Sequence, residues 1–330
     1  MILAVSRKNK QLLACVATLT RQRPKMLEAL LRSWASLVIP ENVEVTFLVI
    51  ENDTEERSRN LIQTLQPIFK SSKLAYALET EPGIPFARNR AARESLEMES
   101  DLLLFIDDDE EVAKDWLKNI IQGYRNSEAK LIGAPLRARL PEENLTLLQR
   151  RMFTNLKSRY RKKEARASRR ASLEGTSGVT IVTNNWLADT LLFSEHNIWF
   201  DESMRHTGGT DSKFYAEVIA QDLPTAWVKD AYVYETIPPE RLSFLYQYRR
   251  ARDQSNTNFR RKNNGTVRLN LVLVTSILIK LIAVIGLILT LPITAGRTLM
   301  TLARALGWIA GRAGAITGSK SSLYSTTTGN

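Results

Sequence analysis

Three consecutive carboxylates at residues 107–109 are the feature of this sequence that most directly suggests chemistry. They follow the apolar run 102–106 without a spacer, so the triplet begins where a buried strand is predicted to end. Adjacent carboxylates repel one another unless a cation neutralises them, and Mg²⁺ and Mn²⁺ prefer oxygen ligands. The triplet therefore predicts a divalent cation site of the kind that bridges a diphosphate. The competing interpretation is a solvated acidic turn or helix cap.

Strand-like and helix-like segments alternate through the first third of the chain. Alternation of this kind predicts a parallel sheet with crossover helices, in which ligands bind beyond the carboxyl ends of the strands. Acidic residues at 51, 53 and 107–109 fall at such ends, which is why a binding site is predicted there. The predicted strands are 12–18, 43–50, 74–78 and 102–106. Three helices are predicted between them: the first starts at Pro24, the second contains Leu61 and Leu65, and the third begins near Ala87.

The second half of the sequence is less regular. Strands are predicted at 131–135, 179–182 and 227–234, and a basic segment at 149–170 is interpreted as a loop region or a solvated helical face. Residues 269–295 are overwhelmingly apolar and long enough for a bilayer span, which needs about 20 residues. Lys280 and Pro292 suggest a kinked span or a re-entrant pair, with a buried core helix as the other interpretation. Residues 299–316 predict an interfacial amphipathic helix.

Positive charge is in excess and unevenly distributed. The chain has 46 Lys and Arg against 35 Asp and Glu, a net charge of +11, and the surplus lies in 149–170 and 249–268. Such a surplus suits nucleic acid, an anionic membrane or a phosphorylated substrate. Few aromatic residues interleave the first run, which disfavours nucleic acid, and the second run directly precedes the apolar stretch. We predict an anionic membrane lipid as partner and no nucleic acid, although both runs also suit a diphosphate-linked lipid.

Cysteine and histidine are too scarce for several other kinds of site. The chain has one cysteine, Cys15, and two histidines, which excludes an intramolecular disulfide and argues against a zinc cage or a Ser/His/Asp triad. An oxidising compartment is therefore not indicated, and we expect cytosolic chemistry.

Four motifs occur in order along the chain: Thr18-x-x-Arg21, Glu51-Asn52-Asp53, Ala87-Arg88-Asn89 and Asp107-Asp108-Asp109. Together they resemble glycosyltransferase family 2 over about residues 12–262. The segments 83–90 and 208–214 are similar to the bacterial exopolysaccharide branch of that family, with its succinoglycan-type glucosyltransferases. The resemblance implies an α/β fold of the GT-A type, a Rossmann-like mixed sheet flanked by helices, here followed by a C-terminal membrane-associated helical segment. It implies a catalytic domain at 1–262 and membrane-associated helices and tail at 263–330.

The resemblance also implies a role for each matching residue. Asp211 would be the general base for the acceptor hydroxyl, and Asp109 would bind the divalent cation, Mg²⁺ or Mn²⁺, that bridges the donor diphosphate. Asp53 would contact the uracil, Asp107 the ribose, and Arg88 the nucleotide or its phosphates. The full set of implied donor-binding residues is Thr18, Arg21, Glu51, Asp53, Arg88, Asp107 and Asp108.

Two positions depart from the family pattern. Thr210 stands where the family commonly has Glu before the catalytic Asp, and Asp189 stands where relatives often carry Asn in the strand before the acceptor loop. Both differences affect the expected acceptor more than the expected base, although an inactive relative is an alternative.

The predicted function is inverting, metal-dependent transfer of a hexose from a UDP-sugar, with UDP-glucose as the expected donor. The expected acceptor is a polyprenyl-diphosphate-linked oligosaccharide for exopolysaccharide. Because nucleotide sugars are cytosolic, we expect the catalytic domain on the cytoplasmic face of a bacterial inner membrane. The alternatives are a nucleotidyltransferase, which would typically carry a Gly-rich phosphate loop near the first strand, and a non-catalytic membrane or nucleic-acid-binding protein.

Overall fold

The computed structural model describes residues 10–70, 72–174, 178–205, 209–262 and 271–317. Within these ranges the chain forms two compact units. The sheet unit comprises residues 10–137 and 161–235, and the helical unit comprises residues 138–160 and 236–317. Gly208 and Arg268, which belong to two of the sequence patterns above, lie outside the described residues.

The strands form two sheets. The larger sheet has seven strands, and the smaller one has three. In chain order the strands are β1 (Leu12–Thr20), β2 (Val43–Glu51), β3 (Lys73–Leu78), β4 (Leu102–Ile106), β5 (Glu110–Val112), β6 (Leu131–Gly133), β7 (Leu136–Arg139), β8 (Asn185–Asp189), β9 (Thr225–Trp227) and β10 (Val233–Thr236).

The seven-stranded sheet has the order β3-β2-β1-β4-β8-β6-β9. Strands β3, β2, β1 and β4 run parallel, whereas β8 runs antiparallel to both β4 and β6. The predicted mixed α/β sheet is therefore confirmed, with its parallel half built from the four segments that were predicted as strands. The smaller sheet has the order β5-β10-β7, and β5 pairs antiparallel with β10.

Helices follow the strands in the predicted alternation. Within the described ranges, three short 3₁₀ helices accompany them at Gln66–Phe69, Glu202–Met204 and Pro239–Leu242. The α-helices are α1 (Pro24–Ala35), α2 (Arg59–Leu65), α3 (Ile84–Glu97), α4 (Trp116–Arg125), α5 (Leu147–Glu174), α6 (Leu191–Ser194), α7 (Thr210–Ala220), α8 (Phe244–Lys262), α9 (Leu271–Thr290) and α10 (Leu299–Ile316).

The core of the sheet unit lies on both faces of the large sheet. Every residue of β4 is buried, which explains its continuous apolar sequence, because a strand covered on both sides has no polar face. On α1, the buried residues recur at helical spacing, and Trp34 stacks on Phe47 of β2 with ring centroids 5.3 Å apart. Pro24 opens α1 as predicted, since its fixed φ and missing N–H suit the first turn of a helix.

Three predictions for the elements were wrong in detail. Residues 179–182 form no strand, because the place beside β4 is taken by β8, which begins three residues after Val182. The predicted strand 227–234 is two strands, β9 and β10, in different sheets. Helix α3 begins at Ile84, before the predicted start near Ala87, since Pro85 occupies its first turn.

The basic segment 149–170 lies in a single helix of 28 residues, α5, so it is not a loop. The part of α5 in the sheet unit is fixed by Glu164, which pairs with Arg137 at 2.7 Å. Arg137 in turn lies 3.7 Å from the centroid of the Tyr232 ring. Ala167 is fully buried, whereas the lysines and arginines of this part, among them Arg166 and Lys163, are exposed. This part of the basic segment is therefore a helix with one packed side and an exposed positive side.

Close packing of α8 against α10 organises the helical unit. A β-carbon at Gly307 would lie 2.2 Å from the carbonyl oxygen of Tyr248, and one at Gly311 would lie 2.2 Å from that of Arg252. The two glycines are four residues apart on one face of α10, a spacing that lets helix backbones approach closely. The predicted helix at 299–316 is confirmed, and its small-residue face is buried against α8.

Helix α9 is, among the described residues, the one helix long and apolar enough to cross a membrane. Only Leu273 and Val284 on it are buried, so it is not the core helix that the sequence left as an alternative. The Lys280 ammonium lies 5.6 Å from the centroid of the Trp308 ring on α10, within cation–π range. This contact gives the charged residue of the apolar stretch a partner inside the helical unit.

Candidate functional site

The candidate site lies at the edge of the sheet where the parallel strands β1, β2 and β4 end. Thr20 at the end of β1 is in register with Glu51 at the end of β2, and Ala17 of β1 is in register with Phe105 of β4. The segments that follow these strands therefore meet at one edge, as expected for an open α/β sheet. This edge brings together the residues near 20, 51–53 and 107–110.

Asp107, Asp109 and Glu110 form a group of three carboxylates whose nearest oxygen atoms all lie within 4.8 Å of one another. Asp107 is exposed, Asp109 is half-buried and Glu110 is buried. Three carboxylates at this separation match the oxygen donors that Mg²⁺ and Mn²⁺ prefer, and one divalent ion would offset most of their charge. The residues present therefore fit a divalent cation, and the third carboxylate of the group is Glu110 and not Asp108.

Desolvation and, after it, mutual repulsion raise the pKa values of Asp107 and Glu110. Desolvation, followed by the charge of Asp109, raises the pKa of Asp107 to about 7, with Arg88 acting in the opposite direction. Burial, followed by the charges of Asp107 and Asp109, raises the pKa of Glu110 well above its usual range. Asn184 donates from its amide to Glu110 Oε1 at 3.2 Å. A bound cation would remove this repulsion, since a nearby positive charge favours the ionised carboxylates.

Asp108 is turned away from the three-carboxylate group. It accepts hydrogen bonds from the Thr20 hydroxyl and from Arg23 Nη1, each at 2.9 Å, and it is 5% exposed. Burial raises the pKa of Asp108 to about 6, against the lowering effect of Arg23. The Arg23 guanidinium also lies 3.9 Å from Asp109 Oδ2. Asp108 thus ties the end of β4 to the segment after β1.

Asp53 is held by a separate set of polar contacts beside the end of β1. Gln22 donates to Asp53 Oδ2 at 2.8 Å, and Arg57 Nε lies 3.3 Å from the same oxygen. Burial alone would raise the pKa of Asp53, but the hydrogen bonds of Gln22 and the Thr54 N–H and the charges of Arg57 and Arg21 together lower it. Asp53 is therefore held as an anion.

Glu51 is fully buried and its carboxylate is already occupied by neighbours. It accepts from the Ser58 N–H at 2.9 Å, from the Ser58 hydroxyl at 2.8 Å and from the Tyr76 hydroxyl at 2.6 Å. Next to it, the Asn52 side chain donates to the carbonyl oxygens of Glu79 and Glu81 and accepts from the Gly83 N–H. These contacts fix the segments that follow β2 and β3. Glu51 therefore acts on the site by holding the segment that contains Asp53 in place.

Thr18 and Arg21 flank the end of β1 in different environments. Thr18 is fully buried, and its hydroxyl has no hydrogen-bond partner within the described part of the chain. Arg21 is exposed, and its charge reaches Asp53.

Arg88 and Asp211 lie close enough to the three-carboxylate group for their charges to act on Asp107. Arg88 donates to the Thr210 hydroxyl at 2.6 Å and lies 5.3 Å from the centroid of the Phe200 ring. Asp211 is in the first turn of α7, is half-buried, and accepts from the Ser212 N–H at 2.8 Å through Oδ1. The charges of both Asp211 and Arg88 act on Asp107, which places all three in one electrostatic environment.

The structure corrects the expectation for Asp189. This residue pairs with Leu102 at the start of β4, so it lies at the opposite edge of the sheet from residues 107–109. It is buried and bound by Lys130 and by the Tyr124 hydroxyl, each at 2.9 Å. At the site edge, Asn185 pairs with Ile106 instead, because β8 runs antiparallel to β4.

A cleft of about 420 Å³ opens beside α3 in the sheet unit. Such a volume falls within the range of ligand pockets, about 300–1,000 Å³. Its lining combines two aromatic residues with polar ones. The Asn89 amide there donates to the Phe200 carbonyl and to Glu202 Oε1, each at 2.9 Å. The lining residues are Asn89, Arg93, Trp199, Phe200 and Glu202.

Several residues of the site were missed from the sequence. Glu110 directly follows the acidic triplet, so the unbroken run of five carboxylates at 107–111 was a signal that could have included it. Thr20, Gln22 and Arg23 lie between two predicted elements, where a local pattern does not show what a side chain will contact. Their roles depend on the pairing of β1 with β2 and β4.

The chain is similar to several known proteins. The chain is 27% identical over 242 residues to the succinoglycan biosynthesis protein ExoM of Rhizobium meliloti (strain 1021), covering 73% of this chain and 72% of that protein. The mannosyltransferase PcManGT from Pyrobaculum calidifontis, in complex with GDP-Man and Mn²⁺, superposes with a TM-score of 0.54 at 17% identity, covering 96% of this chain and 77% of that one. S. aureus TarS 1-349, in complex with UDP-GlcNAc, gives a TM-score of 0.49 at 13% identity, covering 93% and 92%.

The fold likeness to PcManGT confirms the predicted GT-A type of architecture. The family model for glycosyl transferase family 2 matches residues 15–185, slightly more than half of the chain, and this range contains β1, β2, β4 and the three-carboxylate group. The chain is therefore a glycosyltransferase and belongs to glycosyl transferase family 2.

Proposed function

We propose that this enzyme is an inverting, metal-dependent glycosyltransferase that moves a hexose, glucose from UDP-glucose, onto a polyprenyl-diphosphate-linked oligosaccharide. The observation that carries the proposal is the three-carboxylate group with Asp211 in the same electrostatic environment. The similarity to the succinoglycan biosynthesis protein ExoM supports exopolysaccharide biosynthesis as the process. The GDP-Man and Mn²⁺ bound to PcManGT support a nucleotide sugar and a divalent ion as the ligands.

Asp211 is the group we assign to proton transfer. Its Oδ1 accepts a hydrogen bond from the Ser212 N–H, and no described residue donates to Oδ2, which is the oxygen we assign to the acceptor hydroxyl. In an inverting transfer, the acceptor oxygen attacks the anomeric carbon from the side opposite the leaving diphosphate. Asp211 accepts the proton of that hydroxyl as the new carbon–oxygen bond forms and the bond to the diphosphate breaks.

The divalent cation would be held by Asp107, Asp109 and Glu110, with Asp109 as the ligand implied by the family. When bound, it supplies positive charge to the departing diphosphate. Arg88 adds a fixed positive charge near Asp107. Its guanidinium is held by Thr210, the residue before the proposed base, so it can interact with donor phosphates without a large rearrangement.

The nucleoside is assigned to the end of β1 and the segment after β2. Asp53, held ionised by Gln22 and Arg57, would accept a hydrogen bond from the uracil N–H. Asp107 would contact the ribose. Glu51 and Asp108 would support the binding segment through Ser58 and Arg23, and Thr18 and Arg21 would line it.

Membrane attachment is assigned to α9 and the basic residues near it. Helix α9 is exposed along most of its length, which suits hydrocarbon better than water. The exposed Arg249 of α8 contributes to the positive charge that would attract anionic lipid. We place the enzyme at the inner membrane of a bacterium with the catalytic site on the cytoplasmic face, where nucleotide sugars are made.

The donor and metal are tested together on the full chain in detergent. We expect UDP-glucose with Mn²⁺ to raise the thermal unfolding midpoint and to support glucose transfer to a polyprenyl-diphosphate-linked acceptor, with inversion at the anomeric carbon. EDTA should abolish transfer, and added Mn²⁺ or Mg²⁺ should restore it. GDP-mannose serves as the control donor. Transfer that survives EDTA would contradict the metal assignment, and stabilisation by GDP-mannose but not UDP-glucose would contradict the donor.

Membrane attachment is tested by charges placed on α9. Ile279 and Ile282 are 68% and 70% exposed, so aspartate at both positions would face the hydrocarbon. Each buried charge costs about 3 kcal/mol at the centre of a span, which should move the chain from the membrane pellet to the supernatant after a high-pH wash. Aspartate at Ile39, 41% exposed in the sheet unit, is the control. Unchanged extraction of the double variant would contradict the assignment.

A further inference from the structure

Three arginines of the helical unit come from three different helices. Arg159 lies on α5, Arg250 on α8 and Arg304 on α10. The pKa of Arg304 is lowered to about 10, first by burial and then by the positive charges of Arg159 and Arg250, so both residues lie near it. We refer to these three residues as the arginine triad.

Packing of α5 against α10 explains why Arg159 lies close enough to Arg304 for its charge to act there. Met152 and Leu156 of α5 share a buried apolar cluster with Met300 of α10. Arg304 lies one helical turn after Met300, and Arg159 lies about one turn after Leu156, so both emerge beside the same apolar layer. The triad is therefore positioned by helix packing and not by attraction among its members.

The contacts of Arg304 fix it across α8. Its Nη1 donates to Gln247 Oε1 at 3.3 Å, and its Nη2 donates to Gln254 Oε1 at 3.4 Å. These two glutamines lie on either side of Arg250 along α8. The guanidinium of Arg304 thus has two neutral amide acceptors, which orient it but leave its charge uncompensated.

No described carboxylate forms an ion pair with any member of the triad. The acidic residue nearest in sequence on α8, Asp253, is paired with Arg252 at 2.9 Å. A partly buried arginine is normally paired, and three like charges raise the energy of one another. Because the described chain supplies no counter-charge, the arrangement is suited to an anion from outside.

We propose that the arginine triad binds the diphosphate of the lipid-linked acceptor. Planar guanidinium groups donate paired hydrogen bonds that match the oxygens of a phosphate, and three of them suit two phosphoryl groups better than one. The triad belongs to the unit that contains α9, the candidate membrane span, which favours a diphosphate carried by a lipid over a free one. The identity of the ligand rests on the proposed function.

The test uses the full chain and vesicles of phosphatidylcholine that contain polyprenyl diphosphate, polyprenyl monophosphate or phosphatidylglycerol at matched surface charge. We expect co-flotation to show binding to the diphosphate vesicles about tenfold tighter than to either of the others. Arg159→Gln and Arg304→Gln should each remove most of that preference, since a charge-assisted hydrogen bond contributes about tenfold in affinity. Arg159 is exposed and has no hydrogen bond to a described residue, so its replacement should leave folding intact.

Arg249→Gln is the matched control, because Arg249 is exposed beside Arg250 and the substitution removes the same charge. It should weaken binding to all three anionic vesicles equally and keep the preference for the diphosphate. A preference unchanged in both Arg159→Gln and Arg304→Gln would overturn the proposal. Soluble pyrophosphate that competes as well as the lipid would overturn the lipid source while supporting a diphosphate site.

Sugar transfer measured on the same preparations separates this inference from the proposed function. An enzyme that transfers glucose but shows no triad-dependent preference overturns the inference alone. A triad-dependent preference in a chain that transfers no sugar overturns the proposed function alone.

Discussion

Alanine at Asp109 is expected to lower glycosyl transfer by about 100-fold or more, because interactions that stabilise the leaving diphosphate contribute several kcal/mol. Asp109 is the half-buried member of a group whose oxygens lie within 4.8 Å, so its removal leaves two ligands of three. The variant should also lose the rise in thermal unfolding midpoint that Mn²⁺ produces in the wild type. That second measurement reports cation binding without relying on activity.

Asp115→Ala is the control for Asp109→Ala, since Asp115 is exposed six residues later and its side chain makes no capping hydrogen bond. The control should keep both the Mn²⁺ response and the activity of the wild type. Glu110→Gln provides a separate comparison, because it tests the ligand that only the structure reveals. An Asp109→Ala enzyme with the wild-type Mn²⁺ response would show that the cation, if any, is bound elsewhere.

The parallel half of the sheet could be predicted from the sequence because its signals are local. Buried strands such as β4 are continuous apolar runs, and the buried leucines of α1 recur at helical spacing. The order of strand and helix then determines that the strands are parallel and that their carboxyl ends share an edge. Placing Asp53 and Asp107 at that edge followed from these local patterns together.

The second half of the fold could not be predicted to the same extent because pairing there is decided by tertiary competition. The run Val-Thr-Ile-Val at 179–182 has the composition of a strand, yet Asn185–Asp189 occupies the position between β4 and β6. Asn185 is hydrogen-bonded to Trp116 and to the carbonyl oxygens of Pro135 and Ala231, which stabilises that choice. Composition alone does not report such partners.

The sequence predicted where the acidic residues lie in the fold, but not which of their carboxylates lie together. Three adjacent aspartates look equivalent in sequence, whereas the turn after β4 points Asp108 towards Thr20 and Arg23 and groups Asp107 with Asp109 and Glu110. Successive side chains in a turn point in different directions, so neighbours in sequence need not share a ligand. The arginine triad shows the converse, because residues far apart in sequence come together. Arg159 and Arg250 are 91 residues apart along the chain, and Arg250 and Arg304 are 54 apart.

Asparagine at Asp211 is expected to lower kcat by about 100- to 10,000-fold, the range that a positioned general base contributes. The asparagine oxygen can still accept the hydrogen bond from the Ser212 N–H that Asp211 accepts at 2.8 Å, so the first turn of α7 should be preserved. Because the amide cannot take up a proton at neutral pH, the loss should fall on transfer and leave UDP-glucose affinity within about twofold.

Asp222→Asn tests whether any Asp-to-Asn change near α7 has the same effect. Asp222 is exposed after the end of that helix with a φ of 53°, a left-handed conformation that asparagine adopts as readily as aspartate. Its kcat should equal that of the wild type. If Asp211→Asn kept more than about half of the wild-type kcat, Asp211 would not be the base, because loss of a general base lowers the rate by about 100-fold or more. Equal losses in kcat and donor affinity would instead assign Asp211 to donor binding.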